Sequence, residues 1–262
     1  MTARLLPATT VEKPWGRDPL PPQFEVAPGR RIGEIWFEPP PESPGLLVKY
    51  LFTSERLSVQ VHPDDRQAAA AGLGANGKEE CWLVLAAEPG ARLGIGFGRE
   101  YPLDEIRAGA LDGSIVDMLD WHEVEPGDFI YVPAGTVHAI GAGLTLVEVQ
   151  QTSDITYRLF DYGRPRKLHL DAALEVLNPG PHNPALRRKA AAGPLVDGPH
   201  FSLELVEGPG HAVGGVQVIP IDGEVTAAGV KAEPGQCLFV SAPAALEGAP
   251  GSSYLIARSL EG

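Results

Sequence analysis

The chain has 262 residues and a hydrophobic content of 44%, enough to build one large domain or two small ones around a real core. Its formal net charge of −13 argues against nucleic acid and anionic membranes as partners, while leaving room for a local basic pocket that takes a small anion. The only two cysteines, Cys81 and Cys237, lie far apart, and MTARLLPATTVEKPWG contains no long apolar run, so the expectation is a cytoplasmic protein with reduced thiols, no signal peptide and no membrane span.

Glycine (31) and proline (26) punctuate short apolar runs, which points to a β-rich sandwich or barrel. Residues 1–30 read as mostly loop. Strands are predicted over 31–37 (RIGEIWF), 46–53 (LLVKYLFT), 57–61 and 80–86 (ECWLVLA). In LSVQVHPDD, Leu57, Val59 and Val61 alternate with Ser58, Gln60 and His62, so a polar set shares one face of a strand that stops at Pro63. A short alanine-rich helix and a glycine-rich loop follow. Helices are predicted over 103–110, with Pro102 before it and acids in its first turn, and over 114–119. Strands resume at 121–124, 128–132, 138–140, 144–150 and YRLFDYG, then a helix spans 168–177.

These elements divide the chain into residues 1–177, a linker at 178–198, and a smaller β unit at 199–262 built from FSLELVE, VQVIPIDGEV, QCLFVS and SYLIARS. GDFIYVPAG and GQCLFVSAP share a pattern, but the second has no histidine after its turn. The C-terminal unit therefore reads as a degenerate copy of the first.

GDFIYVPAGTVHAIGAG is the strongest local signal. Gly127, five residues, Pro133, one residue, Gly135, two residues and His138 resemble the second cupin motif. A glycine-opened turn feeds a strand, a Pro-x-Gly turn reverses it, and the histidine lands inside a barrel. A cupin brings two inward ligands from one strand and a carboxylate from the next. Gln60, His62 and Glu80 supply these, and His138 completes a set of two nitrogens and two oxygens. That set suits zinc or another divalent first-row ion. The other histidines, at 122, 169, 182, 200 and 211, have no ligand-like company in the sequence and read as structural or exposed.

KPWG, GEIW, LSVQVHPDD, GKEECWLVL, VPAGTVHAIGAGLTLVEVQQTSDITYRLFDYGR and LHL, in order over roughly residues 10–175, resemble the type I mannose-6-phosphate isomerases, most closely their short bacterial form. The resemblance implies a mostly β, cupin-type jelly-roll barrel with a few short helices. It implies catalysis by residues 1–177, with the C-terminal unit lacking metal ligands. It places the metal ligands on Gln60, His62, Glu80 and His138, and the active-site arginine on Arg158. Lys78, Glu148 and Asp154 become candidates for proton transfer, Glu148 and Lys78 ahead of Asp154, and a nearby dication is expected to lower the pKa of Lys78. Ser58 and Arg164 become candidates for binding phosphate, while Asp161 and Arg166 read as structural or rim charges.

The implied reaction is aldose–ketose isomerisation of mannose 6-phosphate and fructose 6-phosphate through a cis-enediol(ate), in a monomer or homodimer whose only partner is a small sugar phosphate. Isomerisation of a related sugar, a non-catalytic sugar-binding sensor and a cupin dioxygenase are the competing readings. The chain is short for the family and has no room for a helical domain. Glu79 stands where short forms often carry Thr and long forms Pro, which leaves the exact substrate open.

Overall fold

The structure is a computed structural model and describes residues 2–24 and 26–260. The short, turn-bounded runs form antiparallel sheets stacked in layers, with four apolar cores among the described residues between and around them. A five-stranded sheet has the order Tyr157–Phe160, Val59–Val61, His138–Ile140, Arg92–Phe97, Leu119–Glu123. A seven-stranded sheet faces it, in the order Arg187–Lys189, Asp128–Val132, Glu80–Ala87, Leu144–Gln151, Leu46–Phe52, Ile32–Phe37, Ala8–Arg17. Together they make the mostly β architecture that the sequence predicts, as two facing sheets.

The alternation of each strand sets the layers. Trp82, Val84, Leu144 and Leu146 of the seven-stranded sheet pack inward against Leu93, Ile95 and Ile140 of the five-stranded sheet. Helices Leu103–Asp112, Ile115–Met118 and Leu170–Val176 cover the other face of the five-stranded sheet through Ile106, Ile115 and Ala173, packed with Val59, Val61 and Leu159. Cys81, Leu83, Val147 and Val149 face the opposite way. They pack on Phe201, Leu203, Ile219 and Leu255 of a six-stranded sheet formed largely by the C-terminal unit. A four-stranded sheet closes that unit over a further core that includes Val218, Val225 and Tyr254.

Several segments differ from expectation. Residues 1–30 are not mostly loop: Ala3–Leu5 joins the six-stranded sheet and Ala8–Arg17 edges the seven-stranded one. Ladder pairing jumps from Glu12 to Arg17, and Pro14 falls in that gap on an edge strand, where it costs no ladder hydrogen bond. The stretch 178–198 carries the 3-10 turn Pro184–Leu186 and the strands Arg187–Lys189 and Gly193–Asp197, one pairing with each unit. Arg92–Phe97 is a strand the pattern hides. Gly94 breaks its apolar run because a Cβ there would meet Leu119 and Trp121 at 3.0 and 3.2 Å. Among the described residues, no helix is long and apolar enough to cross a membrane.

Candidate functional site

The inner face of the five-stranded sheet gathers the polar residues. Gln60 pairs in register with His138 on one side and Arg158 on the other, so three adjacent strands place three polar groups side by side. Glu80, Glu148 and Lys49 come from the facing sheet, where Glu148 pairs with Lys49 and with Trp82, and Gln150 with Glu80. The turn before His138 depends on glycine. Gly127 and Gly135 have φ of +85° and +82°, a left-handed conformation that side chains resist. Gly135 N–H also donates to the carbonyl of His62 at 2.8 Å, tying the turn to the opposite histidine.

His62, Glu80 and His138 bring ligand atoms within 4.8 Å of one another, all buried. Nδ1 of His62 lies 2.7 Å from the Ile155 carbonyl, and Nδ1 of His138 lies 2.9 Å from the Thr136 carbonyl. A carbonyl only accepts, so each Nδ1 carries the proton and each Nε2 presents a lone pair inward. Burial is the first cause that holds His62 well below the ordinary histidine range and pushes His138 down to about 4, so both imidazoles are neutral, the form that binds metal.

Glu80 Oε1 is buried without a hydrogen-bond partner and lies 3.3 Å from the lone pair of His138 Nε2. Two acceptor atoms this close, one of them without any donor, fit a cation between them. Gln60 Nε2 sits 3.2 Å from His138 Nε2, while its Oε1 accepts from Ser58 Oγ at 3.0 Å. A half-turn of the amide would aim the oxygen at the cluster and keep the Ser58 contact, because a hydroxyl both donates and accepts. The donor set therefore fits a first-row divalent ion held by Gln60, His62, Glu80 and His138.

Lys78 ion-pairs with Glu80, lies 3.2 Å from His62 Nε2 and 3.9 Å from Glu148. Burial works against its charge, but Glu148 and Glu80 outweigh it and raise its pKa. Burial raises Glu80 to about 7, with Lys78 opposing. Glu148 feels the same burial, yet Lys78 and Lys49, together with a 3.1 Å bond from Trp82 Nε1, bring it down to about 2. It is the carboxylate that stays ionised.

One narrow cavity lies over this cluster, lined by Ser58, Gln60, Lys78, Glu148, Asp154 and Arg158. Arg158 Nε is buried without a hydrogen-bond partner, and its backbone N–H is held by His169 Nδ1 at 3.2 Å. Arg164 does not line the cavity. Asp161, Glu55 and the Arg56 carbonyl tie its guanidinium elsewhere. Arg166 lines it instead, oriented by two 2.6 Å bonds to the buried Asp161 carboxylate.

The sequence reading also missed Lys13, Glu34 and Lys49 on the cavity wall. Lys49 is buried, 3.3 Å from Glu148, 2.5 Å from Gln150 Oε1, and above the Trp36 ring. A lone lysine in the otherwise apolar run LLVKYLF was the available signal.

No family model matches the chain. It is similar to a mannose-6-phosphate isomerase of Bacillus subtilis, 42% identical over 138 residues, which are 50% of this chain and 44% of that protein. The chain spans about half the length of the curated relatives it matches. Its fold matches a crystal structure of the mannose 6-phosphate isomerase from Bacillus subtilis with a TM-score of 0.82 at 23% identity, covering 98% of this chain and 100% of that one. It also matches a zinc-bound mannose 6-phosphate isomerase with a TM-score of 0.73 at 14% identity, covering 99% and 100%.

Proposed function

We propose that the chain is a metal-dependent aldose–ketose isomerase that interconverts mannose 6-phosphate and fructose 6-phosphate. The observation that carries this reading is a buried cluster of two neutral imidazoles and an unsatisfied carboxylate oxygen that touches, through Gln60 and Lys78, a cavity also lined by Glu148 and Arg158. A plain sugar-binding site would not need that concentration of buried charge. Similarity to named mannose-6-phosphate isomerases over half the chain supports the substrate.

Gln60, His62, Glu80 and His138 would hold the ion, zinc by analogy with the zinc-bound neighbour, and the ion would supply a Lewis acid for the sugar oxygens. Lys78, placed on the cavity wall between Glu80 and Glu148, would donate to the oxygen where negative charge develops. Arg158, also on the cavity wall, adds a second cation. Proton transfer between C1 and C2 needs one base within reach of both carbons. Glu148 is ionised and lines the cavity; its depressed pKa makes it a weak base, and Asp154 on the same wall is its competitor. Arg166 and Ser58 would take the phosphate, with Arg164 bracing the loop through the Asp161 it shares with Arg166. Catalysis would reside in residues 1–177, in a cytoplasmic monomer or homodimer.

A coupled assay tests the assignment, with mannose 6-phosphate set against mannose and other aldose 6-phosphates. Turnover should be highest on mannose 6-phosphate and fall about 10²–10³-fold in Arg158→Ala and Lys78→Ala, the range for removing a donor to developing charge. Glu148→Gln and Asp154→Asn tell the two bases apart by which loses more kcat. Folded, metal-bound protein that turns over only another aldose would move the substrate. Protein that binds sugars without turnover would favour a sensor.

A further inference from the structure

The strand end that carries Lys78 and Glu80 has two faces. Those two side chains point to the cavity, so Glu79 and Cys81 point the other way, toward the six-stranded sheet of the C-terminal unit. Glu79 is buried on that side, and a buried carboxylate needs partners. One of them comes from the C-terminal unit. His200, just ahead of strand Phe201–Glu207, places Nε2 3.3 Å from Glu79 Oε2 and Nδ1 3.6 Å from Asp65 Oδ2. The Tyr131 hydroxyl also donates to Glu79, and its ring meets the Phe201 ring edge-on at 6.1 Å.

The same ring of contacts fixes the backbone. Asp65 Oδ1 accepts from Gly77 N–H at 2.6 Å and from Gln151 Nε2 at 2.9 Å. Gln151 Oε1 in turn accepts from Glu79 N–H at 2.9 Å. Upstream of Gly77 the chain is loop, and Glu80 is the first residue of its strand. Two backbone bonds, Lys78 N–H to the Pro63 carbonyl at 3.0 Å and Gln151 N–H to the Glu79 carbonyl at 3.1 Å, and these side chains together hold the entry to that strand, and His200 reaches it from the C-terminal unit.

We infer that His200 and Glu79 are positioning residues: through them the C-terminal unit sets the orientation of the strand end that presents Lys78 and Glu80 to the metal centre and the substrate. Successive side chains alternate about one backbone, so fixing Glu79 on the outer face fixes the rotation of Lys78 and Glu80 on the inner face. The fold itself rests on the large apolar core between the two sheets, to which the partly exposed His200 side chain adds little. Its loss should therefore disturb site geometry more than stability. The effect on turnover rests on the isomerase reading; the effect on the ion does not.

The test uses the full chain loaded with cobalt(II) or zinc, as wild type, His200→Ala, His200→Gln, Glu79→Gln and the His200→Ala/Glu79→Gln double variant. The readouts are the visible spectrum of bound cobalt, the rate of metal loss to a chelator, kcat and KM, and the thermal midpoint. In folded His200→Ala the cobalt bands should shift, metal loss should quicken about 10-fold, and kcat should fall about 10-fold with KM nearly unchanged, the scale seen when support of a metal ligand is removed. The double variant should be no worse than Glu79→Gln alone. His200→Gln, which keeps a donor, should recover part of the loss. Wild-type cobalt spectra and chelation rates in folded His200→Ala and Glu79→Gln would overturn the inference. Absence of turnover in the wild type would instead count against the isomerase reading, with the two metal readouts still deciding this one.

Discussion

Glu148 shows how the site keeps a buried carboxylate charged. Burial alone would neutralise it, and the nearby ammonium groups of Lys78 and Lys49 reverse that. Its folded pKa, about 2, lies below the ordinary 4.5, so the unfolded chain binds more protons than the folded one between those values. The stability it contributes is complete above pH 4.5 and is lost as pH falls toward 2, on the order of 3 kcal/mol. Urea unfolding of the chelator-treated protein at pH 5 and pH 3 should show this loss, and Glu148→Gln should flatten it. Equal pH slopes in the two proteins would refute the ion pairing. At this scale the sequence was legible where spacing is fixed by a regular strand: Ser58, Gln60 and His62 alternate, so their shared face could be read. It was illegible in the loop after Phe160, where no period decides which of Arg164 and Arg166 turns inward. Asp161 decides it by gripping Arg166 with both oxygens.

The turn leading to His138 is the element on which the inner face most depends. Gly135 adopts φ +82°, and a Cβ there would stand 3.0 Å from the Val176 carbonyl. Gly135→Ala should cost about 1–2 kcal/mol, from left-handed strain and that contact, and should weaken metal binding as well, because the Gly135 N–H holds the His62 carbonyl. Chemical denaturation and chelator competition measure the two effects. A variant with wild-type stability would show that the turn tolerates a side chain. This motif was readable because left-handed turns demand glycine at set positions. Arg92–Phe97 and Ala8–Arg17 were not readable. The first carries glycines that serve packing, and the second carries a proline that only an edge strand tolerates. Both are decided by neighbours that local sequence does not contain.

Across the whole molecule, the seven-stranded sheet is the middle layer, lined by the polar cavity on one face and by the C-terminal unit on the other. A chain ending at residue 198 would bare Cys81, Leu83, Tyr50, Val147 and Val149 to water. It should aggregate on expression and, if refolded, bind hydrophobic dyes strongly. A soluble, cooperatively folding fragment would contradict the layered account. The expectation of a separate C-terminal unit captured its strands but not this dependence, because Ala3–Leu5 and Gly193–Asp197 enter its sheet from outside the predicted boundaries.

The most direct measurement is conversion of mannose 6-phosphate to fructose 6-phosphate by the protein as purified, after chelation to zero bound metal, and after return of one zinc ion per chain, with His138→Ala carried alongside. Turnover should vanish on chelation, return with a single zinc, and stay absent in His138→Ala whatever zinc is supplied. Turnover that persists in metal-free protein, or that never appears in folded protein holding one zinc, would contradict a metal-dependent mannose 6-phosphate isomerase.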